Sequence, residues 1–332
     1  MTTTTYTVTR ATRASRIGGA GFSLAVVVLA TFPLWADRGW MRDFDEFACY
    51  FLFALMWNLL AGYGGMVSIG QQAFFGIGGY ALLALGNVLH VNPFLAVPLA
   101  AAAAVAIALP VSFLAFRLQG GYFAIGTWVI AEVFRLTLAN VSAVGGGSGT
   151  SLTALRGIAR ATRESATFLL CLGGAAVALG IVYAFLRSRE GLSLLALRDD
   201  EMAAESQGVD VGRTKLAVYL FAAGGAGLAG ALYFLGNLRI SPDAAFSVNW
   251  TAFSIFIVLI GGVGTLEGTL VGSALFYLLT KLFSDYGTWY LVGLGLLAVV
   301  VTIKLPRGLW GTVSDRFDLH LFPVQRRLLL KE

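Results

Sequence analysis

"GLSLLALRDDEMAAESQGVDVGRTK", residues 191–215, decides how this chain is read. It carries Arg198, Asp199, Asp200, Glu201, Glu205, Asp210, Arg213 and Lys215, a dense group in a chain with only 23 basic and 18 acidic residues. The stretch before it, "TFLLCLGGAAVALGIVYAFL" (167–186), and the one after it, "LAVYLFAAGGAGLAGALYFL" (216–235), hold no charge. Each is about 20 apolar residues, the length a helix needs to cross the hydrocarbon core of a bilayer. The charged island is therefore a water-exposed segment between two membrane spans.

Composition agrees. Soluble domains are roughly 45–50% apolar and about 25% charged, whereas this chain is 58% hydrophobic and 12% charged, with 41 glycines and a mean hydropathy of +0.79. Folded in water it would expose apolar area far beyond what a soluble monomer carries. The fold class is an all-α, polytopic integral membrane protein. The pI near 9.3 does not point to nucleic acid, because the basic residues are spread over short loops and tails, the pattern that sets membrane topology. Cys49 and Cys171 fall inside apolar stretches and read as small buried hydrophobes; His90 and His320 are far apart, so no metal-ligand spacing exists. Arg10, Arg13 and Arg16 precede an apolar run from Ile17 to Trp35. That run is longer than a leader's apolar core and ends on bulky Leu34 and Trp35, so it reads as a first membrane helix.

The apolar pattern predicts about ten transmembrane helices, at 17–35, 46–62, 72–90, 94–116, 121–139, 167–187, 216–236, 250–266, 267–283 and 288–304, some of them broken or re-entrant. "GGVGTLEG" (261–268) marks either a turn between two spans or the tip of a re-entrant loop. With both tails (1–16 and 305–332) in the cytoplasm, 15 Lys and Arg fall inside and 7 outside, which follows the positive-inside rule. The 140–166 loop is then external. Its "TALRGIARATRES" spacing suggests either a short surface helix or a docking surface for an external partner.

Glycine punctuates the chain at "GYGGMVSIGQQAFFGIGGY" (62–80), "LQGGYFAIGTW" (118–128), "VGGGSGT" (144–150) and 261–268. Small residues one turn apart permit close helix packing, the reading favoured for Gly76 and Gly79. Glycines beside polar groups mark broken helices facing a solute path, which makes Gly64, Gly65, Ser68, Gln71, Gln72, Gly120, Gly121 and Tyr122 pathway candidates. Glu132 and Arg135 share a helix face near the middle of a span, where a bare charge costs on the order of 3 kcal/mol. They form a structural pair, or they line a path or gate. In the island, Asp199, Asp200 and Glu201 suit the first turn of a helix, Gly208 suits its end, and Ala203 and Ala204 give it a small side-chain face. A helix that short needs a surface to pack on.

"RDDEMAAESQGVDVGRTKLAVYLFAAGGAGLAGALY" (198–233), "NLLAGYGGMVSIGQQAFFGIGGYALL" (58–83), "GGYFAIGTWVIAEVFRL" (120–136), "GGVGTLEG" and "LPRGLWG" (305–311) occur in an order that resembles the permeases of branched-chain amino-acid ABC importers, most of all the M-type subunit of leucine/isoleucine/valine systems. The resemblance covers most of the chain. It implies a single permease domain over 1–332 in a bacterial inner membrane, a homologous H-type permease as partner, two cytoplasmic ATPases that carry the ATP and Mg, and an extracytoplasmic solute-binding protein. No cofactor or metal is expected on this chain, and no nucleic acid. It also implies that Arg198, Asp199, Asp200, Glu201, Ala203, Ala204 and Gly208 dock the ATPase. Three positions depart from the family's pattern: Gln71 replaces a common His, Val144 replaces Thr in the external glycine motif, and Thr269 stands where Pro is usual. In the docking helix Met202 occupies the place of the acidic residue, with Glu201 displaced by one. Related permeases carry ureas, amides and aromatic acids, so the solute is left open between these and branched-chain amino acids. The chain has no GxxxxGK[ST] phosphate loop and is not expected to be an enzyme. A self-contained secondary transporter using Glu132 as its coupling site is the alternative.

Overall fold

The computed structural model describes residues 6–9, 13–287, 289–317, 319, 321–324 and 327–330. Arg10, His320, Arg326 and Lys331, used above for topology or ligand spacing, lie outside the described residues. The first six long or apolar helices are α1 (Arg13–Ala30), α2 (Arg38–Trp57), α3 (Gln72–Leu83), α4 (Pro93–Ala115), α5 (Gly121–Ala139) and α6 (Arg160–Leu186). Two short helices, α7 (Arg189–Asp199) and α8 (Glu201–Ser206), make up the charged island. Then come α9 (Val211–Asn237), α10 (Asn249–Gly261), α11 (Leu266–Phe283), α12 (Trp289–Lys304) and α13 (Gly308–Phe317).

Among the described residues, nine helical stretches are long and apolar enough to cross a membrane, and α3 with its continuation, Gln72–Val88, is a shorter apolar tenth. Strand β1 (Tyr6–Thr9) pairs antiparallel with β4 (Arg327–Leu330), which brings both terminal segments to one face and agrees with an even number of crossings. A second small ribbon joins β2 (Thr150–Ser151) to β3 (Arg239–Ile240). It ties the loop after α5 to the end of α9. Asn87 secures the same loop, its side chain accepting from Thr153 N and Ala154 N at 2.8 and 3.0 Å.

The core forms around α2, which is apolar on all sides from Ala48 to Trp57 and buried along that whole length, as a helix of that pattern must be. Around it α3, α4 and α9 cross with almost nothing between their backbones. A side chain at Gly78 would strike the Gly227 carbonyl, one at Gly230 the Phe75 carbonyl, and one at Gly227 the Ala104 methyl. Such contacts let helices gain dispersion energy that lipid cannot replace. Gly76 and Gly79 instead make room for the rings of Phe246 and Phe234. Gly230→Leu is therefore expected to prevent a stable fold, at or beyond the upper end of the roughly 1–3 kcal/mol typical of overpacked cores. Gly173→Leu, where an added Cβ meets nothing within 4 Å, is expected to be neutral. Yield of monodisperse detergent-solubilised protein distinguishes the two.

Two expectations change. The arginines of 156–163 do not form a separate surface helix: Arg160 and Arg163 belong to the first turn of α6, seven residues earlier than the apolar pattern starts. Glu164 makes this possible, accepting from Arg160 at 2.7 Å and facing Arg38 at 3.6 Å, which offsets positive charge at a helix N-terminus. The span expected to run to 266 ends at Gly261, and 261–268 forms a tight turn between α10 and α11, one of the two readings of that segment, with Gly262 and Gly264 at φ of 133° and 72°.

Candidate coupling site and membrane-depth ion pair

The island folds partly as the charge pattern suggests: Gly208 ends the short helix, but Asp199 closes the preceding α7 and only Glu201 lies in the first turn of α8. Asp200 is extended (φ −159°) and breaks α7 from α8, and its carboxylate caps α8 by accepting from Ala203 N at 2.9 Å. Gly208, at φ +85°, turns the chain out of the helix: its N–H donates to Glu205 O at 2.9 Å, and Val209 N–H donates to Ala204 O at 3.1 Å. Asp210 then caps α9 through Arg213 N at 2.9 Å. The surface that so short a helix needs is α9: Lys215 reaches Glu201 at 2.6 Å. The two alanines have opposite roles. Ala204 is 2% exposed and seats the helix, whereas Ala203 faces out beside Met202, which is 81% exposed. Asp199 and Glu205 are also exposed.

Arg198 points the other way, into the membrane domain. Its Nη1 donates to Gly62 O at 3.2 Å, while its Nη2 holds Asp199 at 3.1 Å. Gly62 is the fifth of six residues in a π-helical continuation of α2, Asn58–Tyr63. Here two groups that the sequence treats separately meet, because Gly65 lies under the Arg198 side chain and Gly64 under Leu194. Both belong to the junction beneath the island.

Asn58 was not legible as a functional candidate; a lone amide in "FALMWNLLAG" is its only signal. It is 0% exposed. Its Nδ2 donates to Thr265 O at 3.0 Å and to Thr269 Oγ1 at 2.9 Å, and its Oδ1 accepts from Gly264 N at 2.9 Å. Every polar atom of the amide is thus spent on the α10–α11 turn.

Ser68, Gln71 and Gln72 lie in the packed interior of this chain. Trp57 Nε1 donates to Ser68 O at 2.9 Å, Gln72 Oε1 accepts from Thr251 at 2.5 Å, and Gln71 Nε2 reaches Ala222 O at 3.4 Å. Gly70 lies backbone-to-backbone on Thr127 of α5. Gly120, Gly121 and Tyr122 are exposed at the start of α5.

Helix α5 also carries the ion pair. Arg135 holds Glu132 at 2.5 Å and Asp243, on the one-turn helix Pro242–Ala245, also at 2.5 Å. Asp243 was not anticipated, because nothing in the sequence links it to Arg135. Glu132 lies about 16 Å from one end of α5 and about 10 Å from the other, at 1.5 Å per residue. Its side chain is nevertheless 43% exposed, on a face shared with exposed Ile125, Val129, Val133 and Leu136. Charge at that depth needs water or a protein partner.

The chain is thus a polytopic helical protein with a capped, charged segment between two apolar helices and an ion group on an exposed face of α5. The profile of the family described as "Branched-chain amino acid transport system / permease component" matches residues 45–303, from α2 to α12, and the chain belongs to that family. It is 28% identical over 325 residues to the high-affinity branched-chain amino acid transport system permease protein LivM of Salmonella typhimurium, covering 90% of this chain and 76% of that one; the same figures hold for LivM of Escherichia coli K12. A probable LivM of Methanocaldococcus jannaschii is 25% identical over 289 residues, 75% of this chain and 83% of its own. No solved structure matches. The chain is a membrane-embedded permease subunit of the ABC importer type.

Proposed function

We propose that this permease forms half of the path by which a branched-chain amino acid, or a related small solute, enters the cell. The observation that carries this reading is the Glu132–Arg135–Asp243 group, held at membrane depth on a face of α5 that the chain leaves uncovered. A second, homologous H-type permease placed against that face would enclose it, and the path would run between the two. The charges would then face water and solute rather than lipid, which removes most of the cost of placing them there.

Two cytoplasmic ATPases would sit on the exposed side of α7 and α8, and ATP and Mg would be bound and consumed on them. In this reading the island and both tails lie on the cytoplasmic side of the inner membrane, in keeping with the positive-inside count and with the pairing of the terminal strands on one face. The external β2–β3 layer would receive a solute-binding protein. The names of the relatives support a branched-chain substrate, while Gln71 and Val144 leave room for an amide, urea or aromatic acid.

Co-expressed with its genomic neighbours and reconstituted in liposomes, the complex is expected to accumulate labelled leucine, isoleucine or valine only when both the binding protein and ATP are present. Uptake by the purified chain alone, driven by an ion gradient, would instead make it a secondary transporter. ATP-driven uptake of a competing amide or urea, with none of leucine, would keep the importer and replace its solute.

A further inference from the structure

We propose that Asn58 and Thr269 are positioning residues that carry movement of the docking segment into the α10–α11 hairpin. The inference rests on the reading that ATPases act at α7–α8, and it names the part of this chain through which they act.

The path is continuous and made of specific bonds. Helices α7 and α8 meet the membrane domain through Arg198, whose guanidinium donates to Gly62 O. Gly62 is the fifth residue of the π-helical turn that starts at Asn58. Turns of this kind recur at functional sites because they break the regular hydrogen-bond ladder of a helix. There is no space for a side chain at Gly62: a Cβ would collide with Asn58 Oδ1 and lie 2.8 Å from Gly264 N. Displacing Gly62 therefore presses directly on both. Asn58 in turn grips the hairpin at Gly264 N, Thr265 O and Thr269 Oγ1, on both sides of its turn. Thr269 closes the loop by donating to Thr265 O at 3.0 Å.

The joint also has room to move. Beside it lies a cavity of about 460 Å³ whose lining includes Tyr63, Arg198, Gly264, Thr265, Arg307 and Trp310. A close-packed interior resists small displacements, so a junction bordering an open volume is where a lever can turn.

Coupling of this kind is shown by a change in coupling, not by adjacency. Thr269→Val keeps the shape and removes the acceptor, while Thr269→Ser keeps the acceptor. In the reconstituted complex, Thr269→Val is expected to lower solute taken up per ATP hydrolysed by about fivefold, the factor by which one net hydrogen bond shifts an equilibrium. Thr269→Ser is expected to restore the ratio, and the ratio falls in Thr269→Val beyond any loss that its lowered melting temperature imposes equally on uptake and hydrolysis. A purely structural role would instead lower uptake, ATP hydrolysis and melting temperature together and leave the ratio unchanged, which overturns the proposal. A second measurement does not depend on any variant: in the wild-type complex, nucleotide binding to the ATPases is expected to change hydrogen exchange at residues 262–265. Unchanged exchange there also overturns it. ATP-driven uptake with an unaltered Thr269→Val ratio would sink this inference alone, whereas ATP-independent uptake by the isolated chain would sink the reading beneath it.

Discussion

Ala203→Arg is expected to release the ATPases while leaving the permease folded in the membrane. Ala203 stands on the outer side of α8, beside Met202 and away from α9, so a long side chain there meets nothing in this chain. Against a docked partner the same side chain would force an unpaired guanidinium into a contact built for a methyl group. Stranding a charge in that way costs about 3–5 kcal/mol, and each 1.4 kcal/mol is tenfold in affinity, so capture of the ATPases is expected to fall at least about a hundredfold. Ala204→Arg serves as the contrast. Ala204 is the seat of α8, and its replacement is expected to unseat the helix and reduce the yield of folded permease itself. Wild-type co-purification of the ATPases with Ala203→Arg would show that they bind elsewhere.

Glu132→Gln is expected to reduce uptake at least about tenfold with the melting temperature unchanged. Glutamine keeps the size of the side chain and an acceptor for Arg135, but removes the negative charge from the open face of α5. A charge that faces water and solute is then lost at little cost to folding, since exposed pairs contribute only about 0–1 kcal/mol. Arg135→Gln is expected to do more, because it leaves Glu132 and Asp243 with no cation between them and unties α5 from the Pro242–Ala245 turn. Arg135→Lys is expected to restore little, since a single ammonium cannot reproduce a planar fork that holds two carboxylates. Normal uptake by Glu132→Gln with a lowered melting temperature would make the group a structural lock.

The spans and the island could be read from the sequence because lipid and water impose opposite compositions on adjacent segments. The acidic start and glycine end of α8 were equally legible, since Asp200 and Gly208 act within a few residues of themselves; Asp210 read only as a charge, although it too acts locally, capping α9. What could not be read depends on distant partners. Asn58 acquires its role from Gly264 and Thr269, about two hundred residues away, and Arg135 acquires a second carboxylate from Asp243. Glycine is ambiguous for the same reason. Gly64 and Gly65 lie beside Leu194 and Arg198, neighbours that a missing side chain does not reveal. Arg160 was misplaced because hydropathy cannot detect the polar first turn of a spanning helix.

The seam where Gly78 meets Gly227 and Gly230 meets Phe75 bears on how this permease can change shape. Side chains that interdigitate can swap rotamers and let two helices slip past one another, but peptide groups in direct contact have no such alternatives. Helices α3 and α9 must therefore travel as one solid block, and α9 begins next to α8. Any opening and closing is left to the parts hung on that block: α5 on one flank and the α10–α11 hairpin on the other.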